Sequence, residues 1–202
     1  MARPKRPRRQ PKQGRAQETV DVVLEAAARV LLERGYASAS TNRIAERAGV
    51  SVGTVYEYFA DKDAVFEALI RRELDRLVAA IASQRFGPGD ALDAKLGRVL
   101  AAAMGAMHYG PGLLRSLEQV PDATFHEQLG AARGTVVRFV RGLLEEHREE
   151  LRVADLDLAA FLVVSAAEGV GANANDEIFD ERLARELTRL VRAYLVGTDG
   201  AA

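Results

Sequence analysis

Hydroxyl, amide and ammonium groups are closely spaced between Thr41 and Lys62, in the segment TNRIAERAGVSVGTVYEYFADK. Small residues at positions 52–54 are followed by two tyrosines, Tyr56 and Tyr58. Such a surface suits a helix that enters a groove and forms hydrogen bonds with its walls. The chemistry that this segment offers is therefore recognition of a polar groove.

Two short helices joined by a tight turn would position these groups. Gly49 stands where the first helix must stop, because a glycine accepts the left-handed backbone that ends helices. Ser51 is placed to cap the second helix, which runs to about Phe59, by accepting a backbone N–H. This pattern predicts a helix-turn-helix whose second helix reads DNA. Its inward faces hold Ile44, Ala45, Ala48, Val55 and Phe59.

The run T-x-x-I-A-x-x-A-G-V-S-x-G-T-x-Y-x-Y-F-x-x-K resembles the DNA-binding signature of the TetR/AcrR-type transcriptional regulators. The match is dense over Thr41–Lys62 and looser from about Glu18 to Leu69. Beyond it, the chain has only the length and the helical texture of that family. The resemblance implies a transcriptional repressor that binds a palindromic operator in double-stranded DNA as a homodimer. A small-molecule effector would release it.

By this resemblance, two sets of side chains contact the DNA. An amide can pair with adenine, and a methyl group can contact the thymine methyl, whereas phosphate contacts orient the reading helix without specifying sequence. Glu57 departs from the family pattern, and it either accepts from a cytosine amine or points away from DNA. The base-facing positions hold Asn42, Val52, Gly53 and Thr54. The phosphate-facing positions hold Thr41, Ser51, Tyr56, Tyr58 and Lys62.

Positive charge is concentrated near the N-terminus. Residues 1–60 carry 11 Lys and Arg against 6 Asp and Glu, whereas the remainder carries 17 against 23. Residues 1–16 hold seven basic residues, three prolines and no acidic residue, so we expect them to be disordered on their own. This segment is either a solubilising tail or an arm that contacts phosphates or the minor groove through Arg6, Arg8 and Arg9.

Apolar residues recur at helical spacing through the rest of the chain, and no pair of strands is evident. The expected fold class is all-α, with about nine helices. The basic arm, residues 1–16, would precede a three-helix DNA-binding domain, residues 17–62. A larger helical domain for ligand binding and dimerisation, residues 63–202, would follow.

In the resembled family, a helix of the C-terminal domain lines a ligand pocket. The corresponding helix ends here in two methionines, which adapt to irregular shapes, followed by a histidine and a tyrosine, which can orient a polar group. Ordinary core packing is the alternative for each residue. The candidate pocket residues are Met104, Met107, His108, Tyr109, Phe125 and Phe139.

Two helices near the C-terminus carry more apolar surface than one core needs. Residues 159–167 are apolar all round, and residues 177–196 carry a single apolar stripe. They predict a self-association face, and the resemblance implies a four-helix bundle made from two helices of each subunit. Alternatively, both helices only close the core of one subunit. The candidate interface residues are Phe161, Leu162, Leu187, Leu190, Val191 and Tyr194.

Other kinds of site find no support in the sequence. The absence of cysteine excludes disulfides and thiolate chemistry. His108, His126 and His147 lie 18 and 21 residues apart, too far to pair on one helix face, so we expect no metal. GVGANA, at 169–174, lacks the strands of a dinucleotide-binding unit, so we expect no cofactor.

No catalytic motif and no run long enough to cross a membrane is evident. We therefore expect a cytoplasmic protein that is not an enzyme and has no membrane partner. Two other functions stay open. One is a constitutive, architectural DNA-binding protein without an effector, and the other is an all-α small-molecule binder or enzyme.

Overall fold

The computed structural model describes residues 11–87, 89–117, 120, 123–175 and 177–197. All regular secondary structure in these residues is helical, which confirms the all-α expectation. A 3₁₀ turn, Arg148–Glu150, is the one helical element among them that is not an α-helix. The nine α-helices of the described residues are α1 (Pro11–Ser38), α2 (Thr41–Ala48), α3 (Val52–Tyr58), α4 (Lys62–Ala82), α5 (Leu92–Ala106), α6 (Pro111–Leu117), α7 (Ala123–Glu146), α8 (Leu156–Asn173) and α9 (Glu181–Val196).

Helix α1 begins at Pro11 and not near residue 17, so the expected disorder of residues 11–16 is corrected. Proline is favoured in the first turn of a helix, because the N–H it lacks would have no helical partner there. Adding a turn to an existing helix also costs much less than nucleating a new one. The Thr19 hydroxyl donates to the Arg15 carbonyl at 2.8 Å, four residues back in this early part of the helix. Arg6, Arg8 and Arg9 lie outside the described residues.

The chain divides into two compact units, one of residues up to Leu69 and one of residues from Ile70. The division falls inside α4, whereas the sequence placed the domain boundary at its first residue. The first two turns of α4 belong to the core of the first unit, since Val65, Phe66 and Leu69 are fully buried. The Phe66 ring lies 5.6 Å from the ring of Tyr36. Tyr36 directly follows Gly35, whose non-helical backbone, with φ of 70° and ψ of 167°, breaks α1 before its last residues.

The core of the second unit is built by α5, α7, α8 and α9. A smaller cluster of Ile81, Val99 and Leu143 lies beside the main one, with Phe86 and Phe139 packed against it. The main cluster consists of Leu92, Leu96, Val140, Leu144, Leu156, Ala159, Ala160, Val163, Val164, Leu187, Val191 and Leu195.

Helix α8 is long and apolar enough to cross a membrane, with a mean hydropathy of 1.3 over its 18 residues. A core helix of a protein outside the membrane meets the same criteria. Ala159, Ala160 and Val163 on one side of α8 are buried in the second unit. Its apolar character is thus explained on that side by core packing, and the other side is considered below.

Candidate nucleic-acid interface

The turn between α2 and α3 has the geometry that its residues predict. Gly49 adopts a left-handed backbone, with φ of 70° and ψ of 26°. The Val50 N–H donates back to the Ala45 carbonyl at 3.1 Å, which closes the end of α2. Ser51 Oγ accepts the Thr54 N–H at 3.0 Å and caps α3. The roles predicted for Gly49 and Ser51 as helix end and helix cap are therefore confirmed.

One face of α3 is open to solvent and the other is buried. Tyr56 is 54% exposed and Tyr58 is 39% exposed, while Val55 is fully buried and Phe59 is 8% exposed. Gly53, beside the tyrosines in the sequence, is also exposed. The rings of Tyr56 and Tyr58 and the backbone at Gly53 are thus exposed on the outer face of α3.

Two further residues predicted to contact DNA, Thr41 and Asn42, lie at the start of α2. Asn42 is exposed in the first turn of α2. Thr41 Oγ1, next to it, lies 3.2 Å from Tyr56 Oη, so a hydrogen bond joins the start of α2 to α3. The start of α2 and the outer face of α3 therefore meet, as reading of one groove requires.

The Thr54 hydroxyl is already engaged within α3. Its Oγ1 lies 2.8 Å from Ser51 Oγ, the same atom that caps the helix. This contact leaves the methyl group of Thr54 to meet a partner. Val52, half-buried in the same turn, offers only methyl groups as well. The first turn of α3 is therefore suited to contact a thymine methyl and not to donate hydrogen bonds to guanine.

Lys62 has a structural role that the sequence did not indicate. Its Nζ donates to the carbonyls of Tyr36 at 3.3 Å and Ala39 at 3.4 Å. The same ammonium lies 4.1 Å from the centroid of the Tyr36 ring, a cation–π distance. Lys62 thus ties the start of α4 to the end of α1, and its contact with a DNA phosphate stays a prediction.

A second contact between helices, an ion pair that joins α1 to α2, was not predicted from the sequence. Arg47 donates two hydrogen bonds to Glu33, at 2.7 and 3.1 Å. This bidentate ion pair joins residues 14 positions apart on different helices, so no helical spacing could have revealed it. Arg43 is also engaged, because it donates to the Ser38 carbonyl. The first unit therefore uses its own cations to brace α2.

Comparison with known proteins places this geometry in a family. Residues 23–69 match the family of bacterial regulatory proteins named tetR. Residues 89–195, more than half of the chain, match the tetracyclin repressor-like C-terminal domain. The chain belongs to the tetR family. Its α2–α3 pair lies within the part that matches the family of bacterial regulatory proteins.

Known relatives of this tetR-family chain are regulators too. BetI, an HTH-type transcriptional regulator of Burkholderia thailandensis, is 39% identical over 80 residues, which are 40% of this chain and 41% of BetI. An HTH-type transcriptional repressor of Mycobacterium tuberculosis is 40% identical over 62 residues, which are 31% of this chain and 33% of the repressor. The chain therefore matches less than half of the length of these curated relatives.

The fold is shared over a longer stretch. The crystal structure of the transcriptional regulator FadR from Bacillus subtilis, in complex with stearoyl-CoA, superposes with a TM-score of 0.67. The superposition covers 86% of this chain and 98% of FadR, at 19% sequence identity. It shows that this tetR-family chain shares the fold of FadR.

In the second unit of the tetR-family chain, the predicted pocket residues do not come together. Met104 and Met107 line a cleft of about 870 Å³ between α5 and α9, together with Ala101, Arg185 and Thr188. The rings of His108 and Tyr109 contact each other edge to face, at 5.0 Å between centroids, and neither residue is among those that line the cleft.

The other two residues predicted to line the pocket are phenylalanines. The Phe139 ring lies 6.4 Å from that of Phe86, within the smaller core cluster. It therefore belongs to the core, which was the alternative that the sequence left open. The side chain of Phe125 lies outside the described part of the structure.

The predicted dimer residues separate into two groups. Leu187 and Val191 are 6% and 2% exposed and belong to the main core, so their assignment to the interface is corrected. An apolar stripe on a helix marks a buried face without telling which neighbour buries it. The remaining residues leave large apolar side chains open to solvent. They are Phe161, Leu162, Leu190 and Tyr194, at 47%, 41%, 58% and 42% exposure.

Polar groups flank this exposed surface on α8. Arg133 of α7 lies 4.7 Å from the Phe161 ring and pairs with Glu168 at 3.1 Å. Burial raises the pKa of the Glu168 carboxyl, and Arg133 partly offsets that rise. The apolar surface of α8 is thus bordered by a partly buried ion pair, as at the rim of a protein interface.

Proposed function

We propose that this protein is a homodimeric transcriptional repressor that leaves its operator when a small molecule binds. The observation that carries the proposal is the capped α2–α3 pair, with the tyrosines of α3 exposed on its outer face. Its relatives are transcriptional regulators, and one of them is a repressor. The first unit would bind DNA, and the second would bind the effector and a second copy. A cytoplasmic, non-catalytic protein fits this role.

The dimer would form through the exposed apolar residues of α8 and α9. Four large apolar side chains on these two helices are more than 40% exposed, and Leu158 on α8 is exposed as well. Exposed apolar surface of this extent is unfavourable in water, so a partner is expected to cover it. A second copy is the partner that we propose, because two reading helices per complex match a palindromic operator. Each would enter a major groove, about 34–36 Å apart.

The effector would bind in the cleft between α5 and α9. Ala101 and Met104 offer an apolar wall there, and the charged lining residues are two arginines and three carboxylates, with Arg185 paired to Glu181 at 3.7 Å. The apolar wall suits the apolar body of an amphipathic molecule, and an acidic group on that molecule would compete with Glu181 for Arg185. The Bacillus subtilis FadR of the same fold was crystallised with stearoyl-CoA, a molecule of this type. Acyl-CoA thioesters are therefore the first compounds to test.

Release would follow from a shift between two arrangements of the dimer. A ligand moves such an equilibrium only as far as it binds one arrangement better than the other. An effector that favours a spacing of reading helices different from the operator spacing would lower the affinity for DNA. Repression itself needs no more than occupancy of the operator, which excludes other proteins from the same groove.

The decisive experiment selects DNA from a random 30-base-pair library with the purified protein. We expect a palindromic consensus, bound by a dimer and released by long-chain acyl-CoA thioesters but not by free coenzyme A. A selection without any consensus would instead favour an architectural DNA-binding protein. A consensus with no response to any acyl-CoA would leave the regulator in place and refute the proposed effector class.

A variant with a bulky residue in the cleft tests effector binding without changing DNA binding. Ala101 is exposed within the cleft, so the variant A101W fills it without disturbing the core. We expect A101W to bind the selected operator with wild-type affinity and to need at least about tenfold more effector for release, a loss of about 1.4 kcal/mol. The matched control is A131W, at an exposed position of α7. Equal responses of the two variants would place the effector site elsewhere.

A further inference from the structure

Glu57 occupies the middle of the outer face of α3. Successive residues of an α-helix are turned by about 100°, so residues two positions apart point in nearly opposite directions. The two inward side chains, Val55 and Phe59, stand two positions before and two positions after Glu57, and both are buried. Glu57 itself is exposed. Its side chain therefore projects away from the core of the first unit.

The two tyrosines of α3 flank Glu57 on this face. Tyr56 comes one position before it and Tyr58 one position after it, so each is turned from Glu57 by about 100°. Both tyrosines are exposed, and Tyr56 also contacts Thr41 at the start of α2. A DNA groove that receives the outer face of α3 therefore lies over Glu57, with a tyrosine on either side.

The Glu57 carboxylate forms no hydrogen bond and no ion pair within the part of the chain that the structure describes. Other carboxylates of the first unit connect its helices. Glu33 pairs with Arg47 and so joins α1 to α2. Asp63 of α4 accepts a hydrogen bond from the Tyr36 hydroxyl. The carboxylate on the outer face of α3 has no such structural role, so it is left for a partner.

A carboxylate that enters a DNA groove needs a hydrogen-bond donor there. Without one, it loses its contacts with water and is repelled by the phosphates. In the major groove, the N4 amino group of cytosine is a donor, whereas guanine and thymine present no donor. Adenine carries an acceptor beside its donor, a pattern that suits an amide better than a carboxylate. Cytosine is therefore the base that fits a glutamate at this position.

We propose that Glu57 reads a cytosine of the operator by accepting a hydrogen bond from its N4 amino group. The proposal rests on the DNA binding proposed above and names one base that the protein recognises. It gives α3, whose first turn offers no donor to guanine, a way to recognise a G·C pair from the cytosine side.

The spacing along α3 locates this cytosine. Thr54, which suits a thymine methyl, and Glu57 lie three residues apart, which is about 4.5 Å along the helix axis. Successive base pairs of DNA are about 3.4 Å apart. The cytosine is therefore expected within about two base pairs of the thymine that Thr54 contacts.

The test compares operator recognition by the wild-type protein, E57A and E57Q. Each cytosine of the consensus from the random-library selection is replaced in turn by adenine, with its partner base changed to match. Fluorescence anisotropy gives the affinity for each duplex and for a scrambled one. The matched controls, E18A and E18Q, remove the same charge from an exposed position of α1. Urea unfolding verifies that every variant is folded.

We expect one cytosine at which adenine weakens wild-type binding about fivefold to tenfold, the lower end of the range for one base contact. E57A should lose as much on the consensus and lose nothing further on that substituted duplex. E57Q should prefer the substituted duplex, because glutamine pairs with both N6 and N7 of adenine. The Glu18 variants should behave as the wild-type protein does.

Scrambled DNA separates a base contact from an effect on phosphates. E57A should bind the scrambled duplex at least as tightly as the wild-type protein, because it loses a negative charge and no base contact there. The slope of log K against log salt concentration, which reports the number of phosphate contacts, should be the same in both proteins.

Equal changes in E57A on the consensus and the scrambled duplex would overturn the proposal, since the carboxylate would then act through phosphates and not through a base. Wild-type base preferences in E57A and E57Q would overturn it as well, and would leave the proposed regulator intact. If the selection gives no consensus, the proposed regulator itself fails, and base reading by Glu57 fails with it.

Discussion

Two side chains of the DNA-binding unit illustrate how a contact inside the protein redirects a functional group. Thr54 has both a hydroxyl and a methyl, and its hydroxyl is already in contact with Ser51. Lys62 has an ammonium that suits a phosphate, but two carbonyls and the Tyr36 ring already surround it. The residue type determines which contacts a side chain can make. Its neighbours in the structure determine which of its groups are already used inside the protein.

The Thr54 methyl should contribute to reading thymine. The variant T54S keeps the hydroxyl contact and removes the methyl, so we expect about a fourfold loss of operator affinity, the value of about 0.8 kcal/mol for one buried carbon group. T54V, which keeps the methyl, should stay within about twofold of wild type.

Replacement of each operator thymine by deoxyuridine, one position at a time, locates the contact. One position should weaken wild-type binding about fourfold and have no further effect on T54S. If deoxyuridine weakens both proteins equally at every position, the Thr54 methyl does not contact thymine.

Lys62 should support the fold more than it supports DNA binding. K62M keeps the aliphatic stem and removes the ammonium, so we expect the free energy of unfolding to fall by about 1 kcal/mol through lost hydrogen bonds. Urea denaturation measures this loss. The salt slope of DNA binding should not change. A decrease of about 0.9 in that slope would instead identify a phosphate contact, which is the role implied by the family resemblance.

The helices of the first unit are defined mainly by how they end. α2 and α3 have eight and seven residues, too few to be stable alone, because isolated helices below about 12–15 residues are marginal. Gly49, with its left-handed backbone, ends α2, and Ser51 caps the start of α3. The contacts of Arg47 and Lys62 with α1 then hold the pair in place.

Position 49 should require glycine because its backbone is left-handed, and not because a side chain there would clash. A Cβ built at Gly49 meets no atom within 4 Å, but its φ is 70°. We therefore expect G49A to lose about 1–2 kcal/mol of stability from the left-handed backbone alone.

The matched control is G130A in α7, where a Cβ also meets no atom within 4 Å. Alanine is favoured over glycine inside a helix, so this variant should gain roughly 0.5–1 kcal/mol. Thermal or urea unfolding measures both changes. A similar small effect in the two variants would show that Gly49 is not under backbone constraint.

The second unit shows how one helix serves a core and an outer surface at once. In α9, Leu187 and Leu190 lie three residues apart, yet one is 6% exposed and the other is 58% exposed. In α8, the buried alanines and the exposed Phe161 and Leu162 repeat this division. The apolar content of both helices therefore exceeds what the core of one subunit uses.

Leu187 and Leu190 should have opposite effects when truncated to alanine. L187A should reduce the stability of the protein by about 2–5 kcal/mol, the usual cost of removing a buried leucine. L190A should leave subunit folding intact and weaken dimerisation by about tenfold or more, as a central interface residue does.

Sedimentation equilibrium and urea unfolding at several protein concentrations separate the two effects, because the stability of a dimer depends on its concentration. If L190A changes neither the dimer nor its DNA affinity, the α8–α9 surface is not the interface.

Much of the DNA-binding site could be predicted from the sequence, because its determinants are local. Gly49, Ser51, Val55 and Phe59 act over three or four positions along the chain, which is the range of helix caps and helical periodicity. The start of α1 was missed, since the disorder expected from composition ignored that a helix can extend into a charged segment. The pocket was predicted least well, because it depends on which helices pack together.

The sequence by itself therefore determined the all-α class, the position of the helix-turn-helix and the location of the positive charge. Helical period, capping chemistry and composition carry these properties without reference to distant residues. The tertiary structure alone decided which apolar residues of α8 and α9 enter the core and which remain exposed. It also decided that Arg47 and Lys62 hold the Thr41–Lys62 segment against α1. Contacts between residues far apart in the chain fix these outcomes, and no local pattern records them.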